Sequence, residues 1–481
     1  MPMFVALLPL VAGIGLFEYV ALPLWLSVGA MSLSLVMTLL TMRRRVVWLY
    51  AFVAVLLFGY LMAQLHHRDV AMPESTPVDM VVEVVGEPSL RDGYRVAEGR
   101  IESWSDGKVS HDADYAVQLW IRSDTVCRGD RLHLFSELIP RISRYEGYDR
   151  LLHRRGFVGG VSVADYNIMS LERYAPSTLQ ARAVSKIRRA IPDSVAAATV
   201  EAMVAGSRSG IPQQLRDSYS RTGLAHLMAL SGLHLGIVVL IANVLLLPLL
   251  LLHRGHVLRN MLVVVVLWMF VLLGGGSPSL VRAAIMFTLL QLALAGSRNY
   301  NSVNVLSVAI FAMLVYSPNY LYDISFQLSV VAVMGIATWA LPVLQRMDSR
   351  FAIERWVKTT IVIGVVATLW TMPLVSHTFG IVPIIGVVVT PLLLVTAYLV
   401  VGCGLLMLLL PDVVGFVFAS GAWWAATLQN DMVAAAASYP WVAIDYRLSG
   451  GGVVLCYLIY FVITMLVWSY DGRRAYDTWR V

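Results

Sequence analysis

LLLVTAYLVVGCGLLMLLL, residues Leu392 to Leu410, carries no charged side chain over a length that crosses the hydrocarbon core of a bilayer as one helix. The segment from Val263 to Leu273 is apolar in the same way. Strands of a membrane β-barrel alternate between apolar and polar positions, and neither segment alternates. Both segments therefore predict membrane-spanning α-helices.

The composition of the whole chain also indicates a membrane protein. Of its 481 residues, 58% are apolar and only 14% are charged, which excludes an ordinary soluble domain. Apolar runs recur from Leu224 to Trp468, and each has about the 20 residues that one crossing needs. We expect a polytopic α-helical membrane protein with about 10–12 spans.

Basic residues in short loops predict the orientation. Residues 1–64 are expected to form N-terminal transmembrane helices, because the apolar stretch Met3 to Leu40 ends at Arg43 to Arg45 and not at a small-residue cleavage site. Arginine in short loops marks the cytoplasmic side. This rule places residues 65–190 on the outer, periplasmic side. Five basic regions are placed inside: Arg43 to Arg45, His253 to Arg259, Arg298, Arg346 to Lys358 and the tail 471–481.

The polar insert, residues 65–175, has the sequence pattern of β-structure. Runs of β-branched and aromatic residues alternate with clusters of Gly, Asp, Pro and Ser. Five short strands suit a small barrel, and the OB-like oligonucleotide-binding barrel has five. We expect a small extracellular OB-like β-barrel with strands at Met80–Val85, Tyr94–Trp104, Tyr115–Ile121, Arg131–Leu138 and Phe157–Ile168.

Two further segments are ambiguous in their relation to the membrane. Residues 176–206 are expected to form amphipathic interfacial helices, because Arg182, Lys186 and Arg188 recur in an otherwise apolar pattern; contact with membrane lipid is favoured over direct contact with nucleic acid. The segment Pro411 to Tyr439 fits either a span or an amphipathic helix at the membrane surface.

Polar residues inside an apolar run mark the centre of the chain. Residues Thr222 to Gly236 read TGLAHLMALSGLHLG. Histidine and serine at membrane depth need polar partners, so they either line a wet path or bond across helices. Ser231-Gly232 is a point where a helix could be interrupted, which would free backbone groups towards a pathway.

At this segment the sequence resembles the ComEC-type competence proteins, polytopic channels that carry single-stranded DNA across the bacterial inner membrane during natural transformation. The family motif G-x-x-H-x-x-A-x-S-G-L-H-x-G is matched by Gly223, His226, Ala229, Ser231, Gly232, Leu233, His234 and Gly236. Similar stretches follow in family order, namely Ser277-Pro278-Ser279 with Arg282-Ala283, Asp323 with Phe326 to Ser329, and Pro373 with His377, Phe379 and Gly380. The insert resembles the extracellular module of the family at Gly129-Asp130 and from Tyr148 to Gly160.

The resemblance implies a competence-type channel domain over residues 207–470, in a multi-pass protein of the bacterial inner (plasma) membrane. Its implied partners are single-stranded DNA, membrane lipid, and a separate DNA receptor, nuclease and cytoplasmic ATPase. One chain or a homodimer could form the pore. Cys127 lacks a partner for the disulfide of the family module, and no nucleotide-binding loop is present.

Many family members continue into a metallo-β-lactamase-like nuclease domain, whose H-x-H-x-D-H motif needs clustered histidines. The ten histidines of this chain are dispersed. We therefore expect no nuclease activity, no metal and no cofactor in this polypeptide.

Cationic groups along a wet path are what a conduit for a phosphate backbone needs. Arg282 falls within a span, where a charge facing lipid is costly; the alternatives are a snorkelling arginine and one paired with Asp323. Phe326 could stack on a base or serve helix packing. The DNA-path candidates are Arg208, Arg221, His226, Ser231, Gly232, His234, Arg282, Phe326, Gln327 and Ser329, with Arg216 beside them.

Two other classes of function stay open. An intramembrane hydrolase or metalloenzyme could use Ser231, His226 and His234, although no carboxylate near the histidines would orient a base. A small-solute transporter would show inverted repeats, and the spans show no convincing repeat. We expect no catalytic residue.

Overall fold

The structure is a computed structural model. The chain divides into two units. The N-terminal unit comprises Val5–Ala181 and Phe311–Asp323, and the helical unit comprises Met1–Phe4, Arg182–Ile310 and Ile324–Val481. Predictions on residues 43–45, Cys127, Tyr148, Arg298 and the tail 472–481 lie outside the described residues. These are 2–42, 46–66, 76–86, 88–91, 94–107, 109–123, 126, 129–142, 149, 152–172, 179–208, 210–228, 230–295, 302–347, 351–439 and 441–471.

Three apolar helices open the chain: α1 (Pro2–Leu16), α2 (Leu24–Leu40) and α3 (Val47–His66). Helices α1 and α3 approach closely at two glycines. A Cβ atom on Gly13 would lie 1.9 Å from the carbonyl oxygen of Leu56, and one on Gly59 would lie 2.3 Å from that of Leu10. Small residues let helix backbones meet in this way, so the contact depends on the absence of side chains.

The polar insert is β-structure, as predicted. Within the described residues it forms one seven-stranded sheet. The predicted fifth strand, Phe157–Ile168, is wrong in its extent because the chain turns at Ala164 to Asn167, where the Asn167 side chain accepts from the Ala164 N–H at 2.8 Å. The strands are β1 (Pro77–Val84), β2 (Ser89–Arg91), β3 (Tyr94–Ser105), β4 (Ser110–Ile121), β5 (Arg131–Ile139), β6 (Phe157–Val163) and β7 (Ile168–Glu172).

The strand order of the sheet is β1-β3-β4-β6-β5-β7, with β2 beside β3 and a further pairing between β1 and β5. Strands β4 and β6 are parallel, and the other pairs are antiparallel. Side chains alternate along a strand, so every second residue of β1 enters the core: Val78, Met80, Val82 and Val84 are buried. The finer prediction of an OB-like barrel stays a prediction.

Helices fill the helical unit. A pair of short strands, β8 (Ile381–Pro383) and β9 (Ala443–Asp445), joins two of the connections. The helices are α4 (Leu179–Ala190), α5 (Ser194–Val200), α6 (Gln213–Arg221), α7 (Ala225–Met228), α8 (Gly232–Leu245), α9 (Gly255–Leu273), α10 (Pro278–Ala295), α11 (Ser302–Tyr316), α12 (Ile324–Gly335), α13 (Leu341–Gln345), α14 (Ala352–Phe379), α15 (Gly386–Leu409), α16 (Asp412–Ala437) and α17 (Gly450–Asp471).

The chain is a polytopic membrane protein. Five helical segments of its described part are long and apolar enough to cross a bilayer, and apolar helices of 10–17 residues accompany them. The total of about 10–12 spans and the orientation stay predictions. The five segments are Val47–His66, Gly255–Leu273, Ile324–Gln345, Ala352–Phe379 and Val389–Leu409.

The basic amphipathic helix α4 docks on protein with its apolar face. Ala183 and Ile187 are buried in the core of the helical unit. Lys186 Nζ donates to the Leu410 carbonyl at 3.2 Å, just past the end of α15, and pairs with the Asp412 carboxylate at 3.1 Å. The apolar face is therefore not available to lipid, and a surface-anchor role would rest on the exposed arginines of this helix.

The ambiguous segment from Pro411 to Tyr439 contains one continuous helix, α16. Its buried face is formed by small residues such as Gly415, Ala419 and Ala422, and it packs on α15. Helices with small interface residues approach closely inside membranes. The helix is not among the five long apolar segments, so both interpretations of this stretch stay open.

The glycine contact between α1 and α3 predicts a position-specific loss of stability. Gly13→Ala should lower the melting temperature of the purified protein, because overpacking costs about 1–3 kcal/mol. Gly15 lies in the same helix with no atom within 4 Å of a Cβ, so Gly15→Ala is the matched control and should melt like the wild type. Equal effects of the two substitutions would contradict the contact.

Candidate functional site

Three helix interruptions meet in the helical unit, as far as its residues are described. The first lies between Ala205 and Gln213, the second at Ser231, and the third between Leu273 and Pro278. A Cβ atom on Gly206 would lie 2.8 Å from the Gly274 carbonyl oxygen and 2.9 Å from the Leu230 side chain. The three breaks therefore touch one another.

The sequence explains each break. A π-helical turn, Glu201–Ala205, ends at Gly206 with φ +75°, a left-handed conformation that glycine adopts without steric cost. Ser231 is extended, with φ −135° and ψ 176°, and α8 starts directly after it. Gly276 has φ +67°, and a proline begins the next helix, α10, where its missing N–H is tolerated. The interruption predicted at Ser231-Gly232 is present.

Ser231 and His234 are hydrogen-bonded across the start of α8. The Ser231 backbone N–H donates to His234 Nδ1 at 3.3 Å, and Ser231 Oγ lies 3.0 Å from the same nitrogen. Because a backbone N–H can only donate, Nδ1 holds a lone pair, and the proton of the neutral ring is on Nε2. His234 is fully buried.

Arg282 is the largest fully buried side chain in the described part of the chain, with 1% of its surface exposed. Its Nη2 donates to Ser279 Oγ at 3.3 Å, and its guanidinium lies 5.4 Å from the ring centroid of Phe326, which is also buried. A cation over an aromatic face is attracted by the negative charge of the ring face. The structure thus joins two candidates that the sequence indicated separately.

The remaining candidates are less buried. A Cβ atom on Gly232 would lie 3.6 Å from the Ala283 side chain. His226 Nδ1 lies 3.0 Å from the Gly223 carbonyl, and Arg216 donates to the Arg208 carbonyl. Arg208, Arg221 and His226 are exposed, whereas Gln327 and Ser329 are half-buried.

Sequence reasoning missed a buried polar network beside the interruptions. Tyr219 donates to Asn430 Oδ1 at 3.0 Å, Gln429 donates to the Tyr219 hydroxyl at 3.0 Å, and Asn430 Nδ2 donates to Thr199 at 3.0 Å. Thr396 donates to Gln429 Oε1 at 3.1 Å. The sequence signal for this network was the adjacent pair Gln429-Asn430 in α16, a helix rich in small residues, because buried amides require hydrogen-bond partners.

The N-terminal unit has its own charged cluster. Arg155 pairs with Asp323 at 3.2 Å and with Glu98 at 3.6 Å, while Arg154 pairs with Glu18 and lies 5.3 Å from the Tyr322 ring centroid. Burial raises the pKa of the Tyr322 hydroxyl, and a hydrogen bond to the Glu18 carboxylate raises that pKa further. The family-like segment around Gly156 therefore ties the insert to the connection before α12.

The predicted residue His377 and its neighbour Ser376, near the end of α14, bond to the connection between β9 and α17. Ser376 Oγ donates to the Tyr446 carbonyl at 2.6 Å, and His377 Nδ1 lies 2.8 Å from the Leu448 carbonyl. His377 is exposed. Among the described residues, no three His, Cys, Asp or Glu side chains form a group that could hold a metal ion.

Comparison with known proteins decides the family. The family model described as competence protein matches residues 203–471, which include all three interruptions, Arg282 and Phe326. The chain belongs to the ComEC-type competence protein family. The resemblance inferred from the central motif is thereby confirmed.

Two relatives of this competence protein are known from curated sequences. It is 30% identical over 284 residues to an uncharacterized protein of Aquifex aeolicus (strain VF5), covering 57% of this chain and 63% of that protein. It is 31% identical over 144 residues to ComE operon protein 3 of Bacillus subtilis (strain 168), covering 29% of this chain and 17% of that protein. Each match spans less than two thirds of the relative. No solved structure matches this competence protein.

The junction of the interruptions predicts different responses at two glycines with positive φ. Gly206→Ala adds about 1–2 kcal/mol of backbone strain and about 1–3 kcal/mol of overpacking. Gly276 has nothing within 4 Å of a Cβ, so Gly276→Ala adds the strain alone. Thermal melting of the purified protein should show the larger loss for Gly206→Ala, and the reverse order would contradict the junction.

Proposed function

We propose that this protein is a channel that passes single-stranded DNA across the bacterial inner membrane during natural transformation. One observation carries the proposal: a fully buried arginine, Arg282, lies over Phe326 next to broken helices of a polytopic membrane protein of the competence family. A cation at membrane depth is costly and is generally retained for a function.

The chemistry of the pair suits the proposed cargo. A guanidinium binds a phosphate through parallel N–H donors, and an aromatic face can stack on any base without reading its identity. A channel for a polymer needs contacts that are independent of sequence and weak enough to be released. Arg282 and Phe326 offer both kinds of contact.

The burial of both residues bears on the state of the channel. A strand can reach neither side chain while both are buried. On this proposal the structure represents a closed state, and opening separates Arg282 from Phe326. The interruptions supply the backbone freedom for that movement, because discontinuous helices form the sites of many transporters.

For the insert we propose an OB-like barrel that receives the strand outside the cell membrane. Support comes from the pairing path β1-β3-β4-β6-β5, from the further β1–β5 pairing, and from the parallel pair β4–β6. OB-folds are five-stranded and bind oligonucleotides. The proposed orientation places residues 65–190 outside and the C-terminus in the cytoplasm.

The proposal leaves other steps to other proteins. A separate DNA receptor, nuclease and cytoplasmic ATPase would deliver the strand, remove its complement and drive transport. The pore could be one chain or a homodimer. We propose no enzymatic role for this chain.

A hydrolase is the alternative with a specific observation in its favour, the 3.0 Å distance from Ser231 Oγ to His234 Nδ1. In a serine hydrolase a third group orients the histidine through its other nitrogen. His234 Nε2 makes no hydrogen bond to the described residues, and the Ser231–His234 contact spans one helical turn at a helix start. Local capping explains this geometry better than catalysis does.

Replacement of Arg282 tests the channel in a naturally competent host. Arg282→Ala should reduce transformation by more than about tenfold, because a charged contact contributes about 1.5–3 kcal/mol. Arg282→Lys, which keeps the charge, should retain more uptake. The control is Arg355→Ala, at an exposed arginine in the first turn of α14. Unchanged transformation would remove Arg282 from the path, and loss of the protein from the membrane would favour a structural role.

Substitution of Ser231 separates the channel from the hydrolase. Ser231→Ala and Ser231→Gly keep the residue small and keep the backbone N–H that holds His234. DNA uptake should fall by no more than about tenfold, because one neutral hydrogen bond contributes about 0.5–1.5 kcal/mol. Loss of uptake in both variants, with normal protein level, would favour a nucleophile.

A further inference from the structure

Two buried polar groups beside the junction of the interruptions have no hydrogen-bond partner among the described residues: His234 Nε2 and Ser207 Oγ. His234 is 0% exposed and Ser207 is 1% exposed. A buried polar group without a partner costs about 1–3 kcal/mol, so each of the two calls for a partner that the described residues do not supply. Their neighbours Gly206 and Leu230 are in contact.

The bonding state of His234 specifies what it offers. Its Nδ1 accepts from the Ser231 N–H, so the Nε2 of the neutral ring carries the proton and can only donate. The Leu227 carbonyl lies near the ring, but no bond to Nε2 has hydrogen-bond geometry. The hydroxyl of Ser207 can donate as well.

The charges around these groups select an anion. Arg208 and His226 are the ionisable side chains close enough to act on His234, and neither is acidic. Glu201 accepts from the Ser207 N–H with its backbone carbonyl at 3.3 Å. Its carboxylate is held by Arg188 through two bonds, at 2.7 and 3.0 Å. The N-terminal end of α8, a helix of 14 residues, starts at Gly232 and adds the positive end of its dipole.

We propose that His234 Nε2, Ser207 Oγ and the first N–H groups of α8 bind one phosphate oxyanion. This inference rests on the proposed function, which makes the oxyanion a backbone phosphate of single-stranded DNA. The contacts are neutral donors beside a cationic field, a combination that holds a phosphate without fixing it permanently. The breaks must separate for the ligand to enter, because both groups are buried.

The test uses the full chain in lipid nanodiscs. The probe is a fluorescent 20-nucleotide oligo-deoxythymidine strand, followed by anisotropy, and inorganic phosphate binding is measured separately by calorimetry. His234→Leu and Ser207→Ala should each weaken binding of the strand about tenfold, as expected for hydrogen bonds to a charged group. His234→Gln, whose amide can donate, should fall between His234→Leu and the wild type.

Ser307→Ala is the matched control for Ser207→Ala. Ser307 is equally buried at 1% exposure, but its hydroxyl donates to the Val303 carbonyl at 2.7 Å. The Ser307→Ala variant should bind the strand with the same affinity as the wild type. If His234→Leu fails to fold, His234→Gln and Ser207→Ala decide the question. A methylphosphonate strand of the same length lacks the charged oxygens. Its affinity should therefore be the same for all the variants.

The outcomes separate this inference from the proposed function. Strand binding by the wild type that none of the three variants weakens overturns the oxyanion site alone. Absence of strand binding by the wild type counts against the channel. If the wild type then still binds inorganic phosphate, and His234→Leu and Ser207→Ala weaken that binding, the oxyanion site is supported as a site for free phosphate. Absence of binding for both ligands overturns both proposals.

Discussion

Backbone polar groups in an apolar bundle must be bonded within the protein, and the candidate site lies where the helices that meet this condition are interrupted. A continuous helix satisfies itself. At Gly206, Ser231 and Gly274 the helices are interrupted, and the three interruptions meet beside the Ser231–His234 pair. The buried Arg282 lies near the start of α10, the helix that follows Gly274. Helix packing and the polar network around Gln429 and Asn430 maintain the neighbouring part of the unit.

Much of the architecture could be predicted because its signals are local. The apolar run Leu392 to Leu410 sets the class, and the alternation along Met80 to Val85 sets the insert. The break at Ser231-Gly232 was visible because a small and a polar residue interrupt an apolar pattern. The turn that divides the strand predicted over Phe157–Ile168 was missed because Asn167 stabilises it through side-chain hydrogen bonds, which a propensity argument does not weigh.

The tertiary part of the site could not be read from the sequence. Arg282 and Phe326 lie on different helices, and their contact depends on how α10 and α12 pack. The network around Gln429 and Asn430 was missed for a similar reason, since its partners Tyr219 and Thr199 are about 200 residues away in the chain. Residue type and local spacing indicate which side chains need partners, and packing decides which partners they obtain.

The packing of α4 shows that the helical unit begins before the segment that the family model matches. The family match starts at residue 203, inside the π-helical turn. Lys186 and Ile187 precede that point, yet one bonds the Leu410 carbonyl at the end of α15 and the other fills the core. A fragment cut at the family boundary would lose both and expose apolar surface that folding needs to bury. The structural domain therefore includes α4 and is longer than the family segment.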